Sequence, residues 1–300
     1  MKRTYRIIGY NGIPTQKYKE YLAKLGFIEN ERSIGLLLCF QGEGVFDRTT
    51  RSYCKSAIDN VSNICNKGQL RKTLGEFGEK YMAKEYRWSD VALNMHLKVD
   101  KVIIVKPISG FGGKGIKIYK KGDLMSIIGA DSYVFCEYVT DLLLFKGRKF
   151  HLRVYLFATT WGVFRRYPEY RIITAKSDFV LDNWDREDIH DTHLKWTDAD
   201  YFFRPDGDLY IEKTDKQITE VCDEIIRHLN PKPYKESTAA YEMLGLDFLV
   251  KSDGDVVLLE VNTNAGIKCV DEWNTYKEGV LAMEMDIIDS FFPKARLFKK

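Results

Sequence analysis

Three oxygen-bearing side chains near the C-terminal end, Asp247, Glu260 and Asn262, could together bind a metal ion. They lie in two apolar runs that flank residues 252–255, a typical hairpin turn with Asp-Gly at its centre. If the first and last residues of that turn pair, Asp247 stands opposite Glu260, Asn262 shares their face, and apolar neighbours such as Leu259 point to the other face. Opposed carboxylates need a cation or a proton between them. Two carboxylates and an amide oxygen suit Mg²⁺, so we predict a magnesium site, with a solvent-exposed acidic hairpin as the alternative.

A glycine-rich segment, residues 106–115, connects two apolar strands at 102–105 and 116–119. Its glycines let backbone N–H groups approach an anion closely, and Lys106 and Lys114 add positive charge. The segment is not a P-loop, because it lacks the Gly-Lys-Ser/Thr ending and lies between strands. We therefore predict a flap over phosphate groups. A mobile hairpin tip without a ligand is the alternative.

Residues 149–156 alternate between polar and apolar side chains, which is typical of a strand. Lys149, His151, Arg153 and Tyr155 share one face, and the apolar residues share the other. One face is thus expected to join the core. The face with two cations and a histidine favours a ligand surface over a merely solvated one.

The composition excludes several functional classes. With 300 residues, 45% hydrophobic and 30% charged, the chain is neither disordered nor a disulfide scaffold. Its 46 Lys and Arg nearly balance 43 Asp and Glu, and the net charge of +3 is too small for a general nucleic-acid binder. Six scattered cysteines without a Cys-x-x-Cys pair predict reduced thiols and no zinc. The absence of a signal-peptide pattern, and of apolar runs near the ~20 residues that span a bilayer, predicts a cytoplasmic protein with no membrane partner. We also expect a monomer.

Hydrophobic periodicity predicts the elements that position these side chains. They are a strand over Tyr5–Tyr10, a helix over Thr15–Leu25, a strand over Ile34–Phe40, a mostly helical stretch over Thr50–Asp100, and helices over Asp215–Leu229 and Trp273–Phe292. The first three form a β-α-β pattern, which indicates a small open α/β unit at the N-terminal end.

Four segments, taken in order, resemble the ATP-grasp fold and more narrowly the tubulin-tyrosine ligase family. They are Lys106-Pro107 with its flap, Phe135-Cys136-Glu137-Tyr138-Val139, Lys149-Phe150-His151-Leu152-Arg153, and Leu258-Leu259-Glu260-Val261-Asn262-Thr263-Asn264. The resemblance covers about residues 100–270. It implies an α/β (α+β) ATP-grasp fold in which two antiparallel-sheet lobes sandwich ATP, preceded by a Rossmann-like N-terminal unit. The implied domains are 1–95, 96–145 and 146–300.

The resemblance also implies a set of site residues. ATP, with two Mg²⁺ ions, would be bound by Lys106, Gly112, Gly113, Lys114, Gly115, Cys136, Glu137, Tyr138, Val139, Lys149 and His151. Asp247, Glu260 and Asn262 would hold the metal, Arg153 and Arg171 would be catalytic, and Thr263 and Lys195 would contact substrate. Two departures from the family pattern, His151 in place of Asp and Lys195-Trp196 in place of Thr-Asn, touch the ligand pocket.

The implied reaction is ATP-dependent ligation of an amino acid (tyrosine, glutamate or glycine) to an acidic, tubulin-tail-like polypeptide through an acyl-phosphate. Residues 146–176 carry eight Lys and Arg against the single acid Glu169, a local charge of +7, which would attract such a polypeptide. Arg165 and Arg166 are predicted substrate contacts there. An acidic stretch follows at 182–191 and is assigned no function. An ATP-grasp kinase of a polyol phosphate and a nucleotide-binding pseudoenzyme are the alternatives.

Overall fold

The computed structural model describes residues 3–8, 12–32, 35–39, 54–55, 58, 61–88, 102–109, 113–119, 130–192, 201–229, 231, 239–263 and 274–292. The strands are β1 (Thr4–Ile8), β2 (Ile28–Glu29), β3 (Leu36–Cys39), β4 (Cys54–Lys55), β5 (Glu85–Tyr86), β6 (Ile103–Pro107), β7 (Lys117–Tyr119), β8 (Tyr133–Glu137), β9 (Phe150–Thr159), β10 (Phe164–Arg166), β11 (Tyr170–Thr174), β12 (Tyr201–Phe203), β13 (Ala239–Val250) and β14 (Val256–Thr263). The α-helices are α1 (Ile13–Lys24), α2 (Ser62–Cys65), α3 (Lys67–Leu74), α4 (Glu76–Tyr81), α5 (Glu187–His190), α6 (Glu212–Leu229) and α7 (Thr275–Phe291).

A large mixed sheet runs in the order β12-β11-β9-β13-β4-β3-β1-β2, with β10 also paired to β9 and β14 to β13. Pairing is antiparallel from β12 to β13 and parallel from β13 through β4 and β3 to β1. The strands β1 and β3 flank α1, as the β-α-β pattern predicted. The N-terminal strands and the C-terminal strands thus belong to one sheet, whereas the three-domain division and an independent Rossmann-like unit stay predictions.

Each face of the large sheet carries an apolar core. Leu152, Val154 and Leu156 of β9 join one core with α6. Tyr155 and Phe157 point to the opposite face and join a second core with α1 and α7. The alternation predicted for β9 is therefore confirmed, but both of its faces are buried, so a solvated polar face is wrong. The buried stripe of α6 consists of the five residues that periodicity predicts, namely Ile218, Val221, Cys222, Ile225 and Leu229, together with Thr214.

A second, smaller sheet has the antiparallel order β5-β8-β6-β7. Among the described residues, its core contains three buried apolar residues, Ile103, Val105 and Phe135, with partly buried aromatic residues around them. The two predicted strands on either side of the flap are β6 and β7, which pair directly. The described chain is therefore an α/β structure with antiparallel pairing in both sheets, compatible with an ATP-grasp-like fold.

In the β13–β14 hairpin, Asp247 and Glu260 are paired as predicted, but the turn and the register differ from the prediction. Val250 pairs with Val256, so the turn spans residues 251–255 and the proposed Ser252–Asp255 pair is wrong. The register then shifts between Phe248, which faces Leu258, and Asp247, which faces Glu260. Leu259 is the extra residue of this β-bulge. Asp247 and Glu260 are thus opposed as predicted, because the extra residue in the bulge compensates for the odd number of residues in the turn.

No helix in the described ranges is long and apolar enough to cross a membrane. Cys65, Cys136 and Cys222 are free thiols, as expected for reduced cysteines.

Candidate active site

A cavity of about 900 Å³ lies between the two sheets. One wall, which we name the flap wall, is formed by the small sheet β5–β8 with residues 113–119. The other, the hairpin wall, is formed by β13 and β14 together with Lys149, which directly precedes β9. Residues 137–139 connect the two walls as a hinge, and residues 184–192 close the side. The cavity brings together predicted ligand residues from both walls, namely Lys106, Gly113, Lys114, Gly115, Glu137, Tyr138, Val139, Lys149, Asp247 and Glu260.

Asp247 is held by Arg153 on the hairpin wall. The two residues are direct cross-strand partners on β13 and β9. Arg153 donates from Nε to Oδ1 and from Nη2 to Oδ2, the second bond at 2.8 Å. The Asp247 side chain is only 1% exposed and that of Arg153 14%. This two-point contact matches the planar guanidinium to the carboxylate and fixes the orientation of Asp247.

Glu260 is held by two other groups. Lys67, the first residue of α3, lies 3.0 Å from Glu260 Oε2, and the Asn262 amide donates to Oε1 at 2.9 Å. Burial opposes ionisation of Glu260, but the positive charge of Lys67 and the Asn262 hydrogen bond outweigh it and lower the pKa to about 2. Glu260 is therefore ionised beside Lys67, and Asp247 lies beside Arg153.

Asn262 directs its nitrogen to both acids, at 2.9 Å from Glu260 and 3.5 Å from Asp247. As a metal ligand it would present its oxygen, which requires a rotation of the amide. The described residues contain no group of three or more His, Cys, Asp or Glu that could hold a metal. A metal here would depend on two carboxylates, the Asn262 amide and the phosphates of a nucleotide, a set of hard oxygen donors that fits Mg²⁺.

Lys149 is buried at the end of the cavity beside the hinge. Its Nζ donates to the Tyr138 hydroxyl at 3.0 Å. Burial and the nearby Lys106 lower the pKa of Lys149 to about 7, and Asp191 acts in the opposite direction. The Tyr138 hydroxyl lies 2.8 Å from His190 Nδ1, while His190 Nε2 lies 3.0 Å from a backbone carbonyl oxygen. Since a carbonyl only accepts, Nε2 carries the proton and Nδ1 accepts from Tyr138.

The flap meets residues 184–192 at Gly113. This glycine has φ +71°, and a Cβ built there would lie 2.6 Å from Asp191 Oδ2. A side chain at this position would therefore both strain the backbone and push Asp191 away. Gly112, also predicted to bind the nucleotide, lies outside the described residues.

Two of the predicted nucleotide contacts do not line the cavity. His151 is fully buried and its Nδ1 lies 2.6 Å from the Thr192 hydroxyl, with Nε2 3.8 Å from Asp247. Cys136 is buried on β8, and this burial raises the pKa of its thiol. His151 thus lies beside Thr192 and Asp247 and outside the lining of the cavity, and its contact with a nucleotide stays a prediction.

Arg171 is the direct cross-strand partner of Arg153, on β11. The two predicted catalytic arginines are thus neighbours on the site face of the large sheet.

The three predicted substrate residues that the structure describes do not lie together on one surface. Arg165 pairs with Phe157 and Arg166 with Leu156, so these two cations point to opposite faces of the sheet. Arg166 is also bound to Asp215 on α6 at 3.0 Å. Thr263 pairs with Leu244, a residue of the core opposite the site face, so it does not share the face of Asn262. Lys195 lies outside the described residues.

The local charge of +7 is partly neutralised by acids from other segments. Arg148 lies 3.4 Å from Asp178, and Arg153 and Arg166 are paired as described above. Arg165 and Lys176 are exposed. The attractive charge of residues 146–176 is therefore smaller than their sequence suggests.

Sequence reasoning missed several residues of the site. Lys67 occurs in a polar stretch without a recognisable motif. Asp191 and His190 belong to the acidic stretch that was assigned no function, yet Asp191 contacts the flap and His190 orders the hinge. Their only signal was a dense group of charged residues after the basic segment.

The sequence model of the tubulin-tyrosine ligase family matches residues 51–195. The matched region contains the flap, the hinge, β9, β11 and residues 184–192, whereas the β13–β14 hairpin follows it. No curated protein matches the chain.

Proposed function

We propose that the chain is an ATP-dependent ligase that joins an amino acid to a polypeptide through an acyl-phosphate, since the model of the tubulin-tyrosine ligase family matches residues 51–195. The observation that carries this proposal is the juxtaposition, around one cavity, of Lys106 and Lys149 with Asp247 and Glu260, with a hinge between the walls. Such an arrangement suits a nucleotide with its phosphates and their metal.

The cavity fits ATP in its size and in its lining. About 900 Å³ is within the range of cofactor sites. The base of ATP would lie against the hinge residues Glu137–Val139, and Lys106 and Lys149 would offer positive charge to the phosphates. Asp247, Glu260 and Asn262 would hold Mg²⁺, which would neutralise the phosphates and orient the γ-phosphoryl group.

The arginine pair supplies the electrostatic part of the proposed reaction. Arg153 is tied to Asp247, so it orients that carboxylate. Arg171, directly across the strand pair, places a second guanidinium on the same face, where it would stabilise negative charge that develops on the acceptor carboxylate. A neutral amine would then attack the activated carbonyl and release phosphate.

The proposed acceptor is an acidic polypeptide, supported by the exposed Arg165 and Lys176. The donor is tyrosine, glutamate or glycine. A steep rise of the peptide KM with ionic strength is expected, since exposed charges are screened over about 8 Å at physiological salt.

Mass spectrometry tests the proposal directly. The protein is incubated with an acidic polypeptide, Mg-ATP and a mixture of amino acids, with a neutral polypeptide of equal length as the control. A mass increase of one or more amino-acid residues on the acidic polypeptide, dependent on ATP, is expected. ATP turnover stimulated only by an inositol phosphate would indicate a kinase instead. Nucleotide binding with no turnover under any condition would indicate a pseudoenzyme.

A further inference from the structure

We propose that Lys67 is a built-in counter-ion of Glu260 that a divalent cation must displace, whereas Arg153 stays on Asp247 when the metal binds. This inference rests on the proposed function, because it takes Asp247 and Glu260 as the metal ligands. It assigns a role to helix α3, to which the sequence motifs assigned no role.

The two carboxylates of the opposed pair are neutralised in different ways. Asp247 receives two parallel hydrogen bonds from Arg153, and the two residues are direct partners on adjacent strands of the large sheet. The Asp247 side chain is almost completely buried. Moving Arg153 away would break both bonds at once and leave a buried carboxylate without its guanidinium, which is strongly unfavourable.

The ion pair of Lys67 differs in geometry from that of Arg153. It joins Nζ to Oε2 of Glu260 at 3.0 Å, without the parallel pair of bonds that a guanidinium forms, and the two side chains are 16% and 17% exposed. The ammonium group is a point charge on a flexible four-carbon stem, so it can move without any change in the backbone. Helix α3 does not depend on this contact for its start, because the Asn66 side chain caps it through Gly68 N at 2.9 Å.

The charges of the site indicate that a divalent cation displaces Lys67 and not Arg153. With Lys67 and Arg153 in place the two carboxylates are already neutralised, so a divalent cation meets little net attraction. If Lys67 moves away, Glu260 regains its full negative charge while Asp247 keeps its orientation. The displaced ammonium group can then pair with the phosphates of a nucleotide, which links metal binding to nucleotide binding in a favourable sense.

Binding of Mn²⁺ to the full chain without nucleotide tests this role. Mn²⁺ serves as a paramagnetic substitute for Mg²⁺, and electron paramagnetic resonance measures the free ion. The variants are Lys67→Met, which keeps the stem and removes the charge, Lys67→Gln, and Glu260→Gln. Lys80→Met is the matched control, because Lys80 forms an exposed ion pair with Glu220 on another helix at 3.7 Å. Thermal unfolding of each variant verifies that it is folded.

We expect both Lys67 variants to bind Mn²⁺ on the order of tenfold more tightly than the wild type, which is the effect of removing one charged hydrogen bond from the competition. Lys80→Met should leave the affinity unchanged. Equal or weaker binding by the Lys67 variants, or no binding by either of them, would overturn the counter-ion role. If instead Glu260→Gln binds Mn²⁺ as well as the wild type, the metal site of the proposed function fails, irrespective of Lys67.

Discussion

The two walls of the cavity are built on very different amounts of buried structure. The hairpin wall belongs to a sheet with an apolar core on each face, and its key carboxylate is held by a cross-strand arginine. In the described part of the chain, the flap wall rests on a core of three buried apolar residues, and Gly113 of the flap lies against Asp191. Among the described residues, the site therefore combines a wall that lies on a sheet buried on both faces with a wall that has fewer buried apolar neighbours.

The comparison is tested most severely by Glu260→Gln. If the hairpin wall supplies the fixed charges of the reaction, this change should lower ATP turnover by roughly 100-fold or more, with the fold retained. Release of ADP in the presence of Mg²⁺ measures the effect. Glu224→Gln, on the surface of α6, is the control and should have no effect. Unchanged turnover in Glu260→Gln would remove the metal site from the hairpin wall.

Arg153→Met tests the rigidity of the hairpin wall. The change leaves Asp247 buried without its cation, so the free energy of unfolding should fall by about 3–5 kcal/mol. Urea denaturation measures the loss. Arg166→Met removes a pair with Asp215 whose side chains are 24% and 30% exposed, and it should cost less than about 1 kcal/mol. Similar losses of unfolding free energy in the two variants would mean that the buried Arg153–Asp247 pair stabilises the protein no more than the exposed Arg166–Asp215 pair.

Gly113→Ala tests the flap wall. The alanine methyl would strain the backbone and press against Asp191, so ATP binding should weaken roughly tenfold while the large sheet stays intact. Gly162→Ala provides a close control, since Gly162 has φ +81° with nothing within 4 Å of an added Cβ. It should cost stability without weakening ATP binding. Equal ATP affinities of the two variants would contradict a role for the Gly113–Asp191 contact.

The smallest expected effect is a pH dependence at the junction of the walls. Burial and Lys106 lower the pKa of Lys149 to about 7, so Lys149 loses its proton as the pH rises through 7. ATP phosphates favour the charged form, and ATP affinity should therefore fall by up to about tenfold between pH 6 and pH 9. Equilibrium binding measures this slope. Lys149→Arg keeps its charge over the whole range and should flatten the slope, and a slope equal to that of the wild type would assign the titration to another group.

The sequence predicted those parts of the site that follow from local periodicity. Alternation along β9 and the stripe of α6 depend on neighbouring residues only, and both are confirmed. The predicted Asp247–Glu260 pairing was also correct, although the predicted turn was not. The turn has an odd number of residues, and the extra residue Leu259 in the β-bulge restores the register, which hydrophobic alternation cannot predict. Lys67 and Asp191 could not be predicted, because each acts on a residue far away in the chain.

One feature of the large sheet constrains how the molecule is made. The short strand β4 pairs in parallel with the beginning of β13, at Cys54–Ala239 and Lys55–Ala240. During synthesis the ribosome releases β4 long before β13, and among the described strands β1, β2 and β3 are connected to the rest of the sheet through this pairing. The N-terminal strands must therefore wait, with an open edge, until residues 239–240 emerge. Such long-range pairing slows folding and exposes the nascent chain to aggregation.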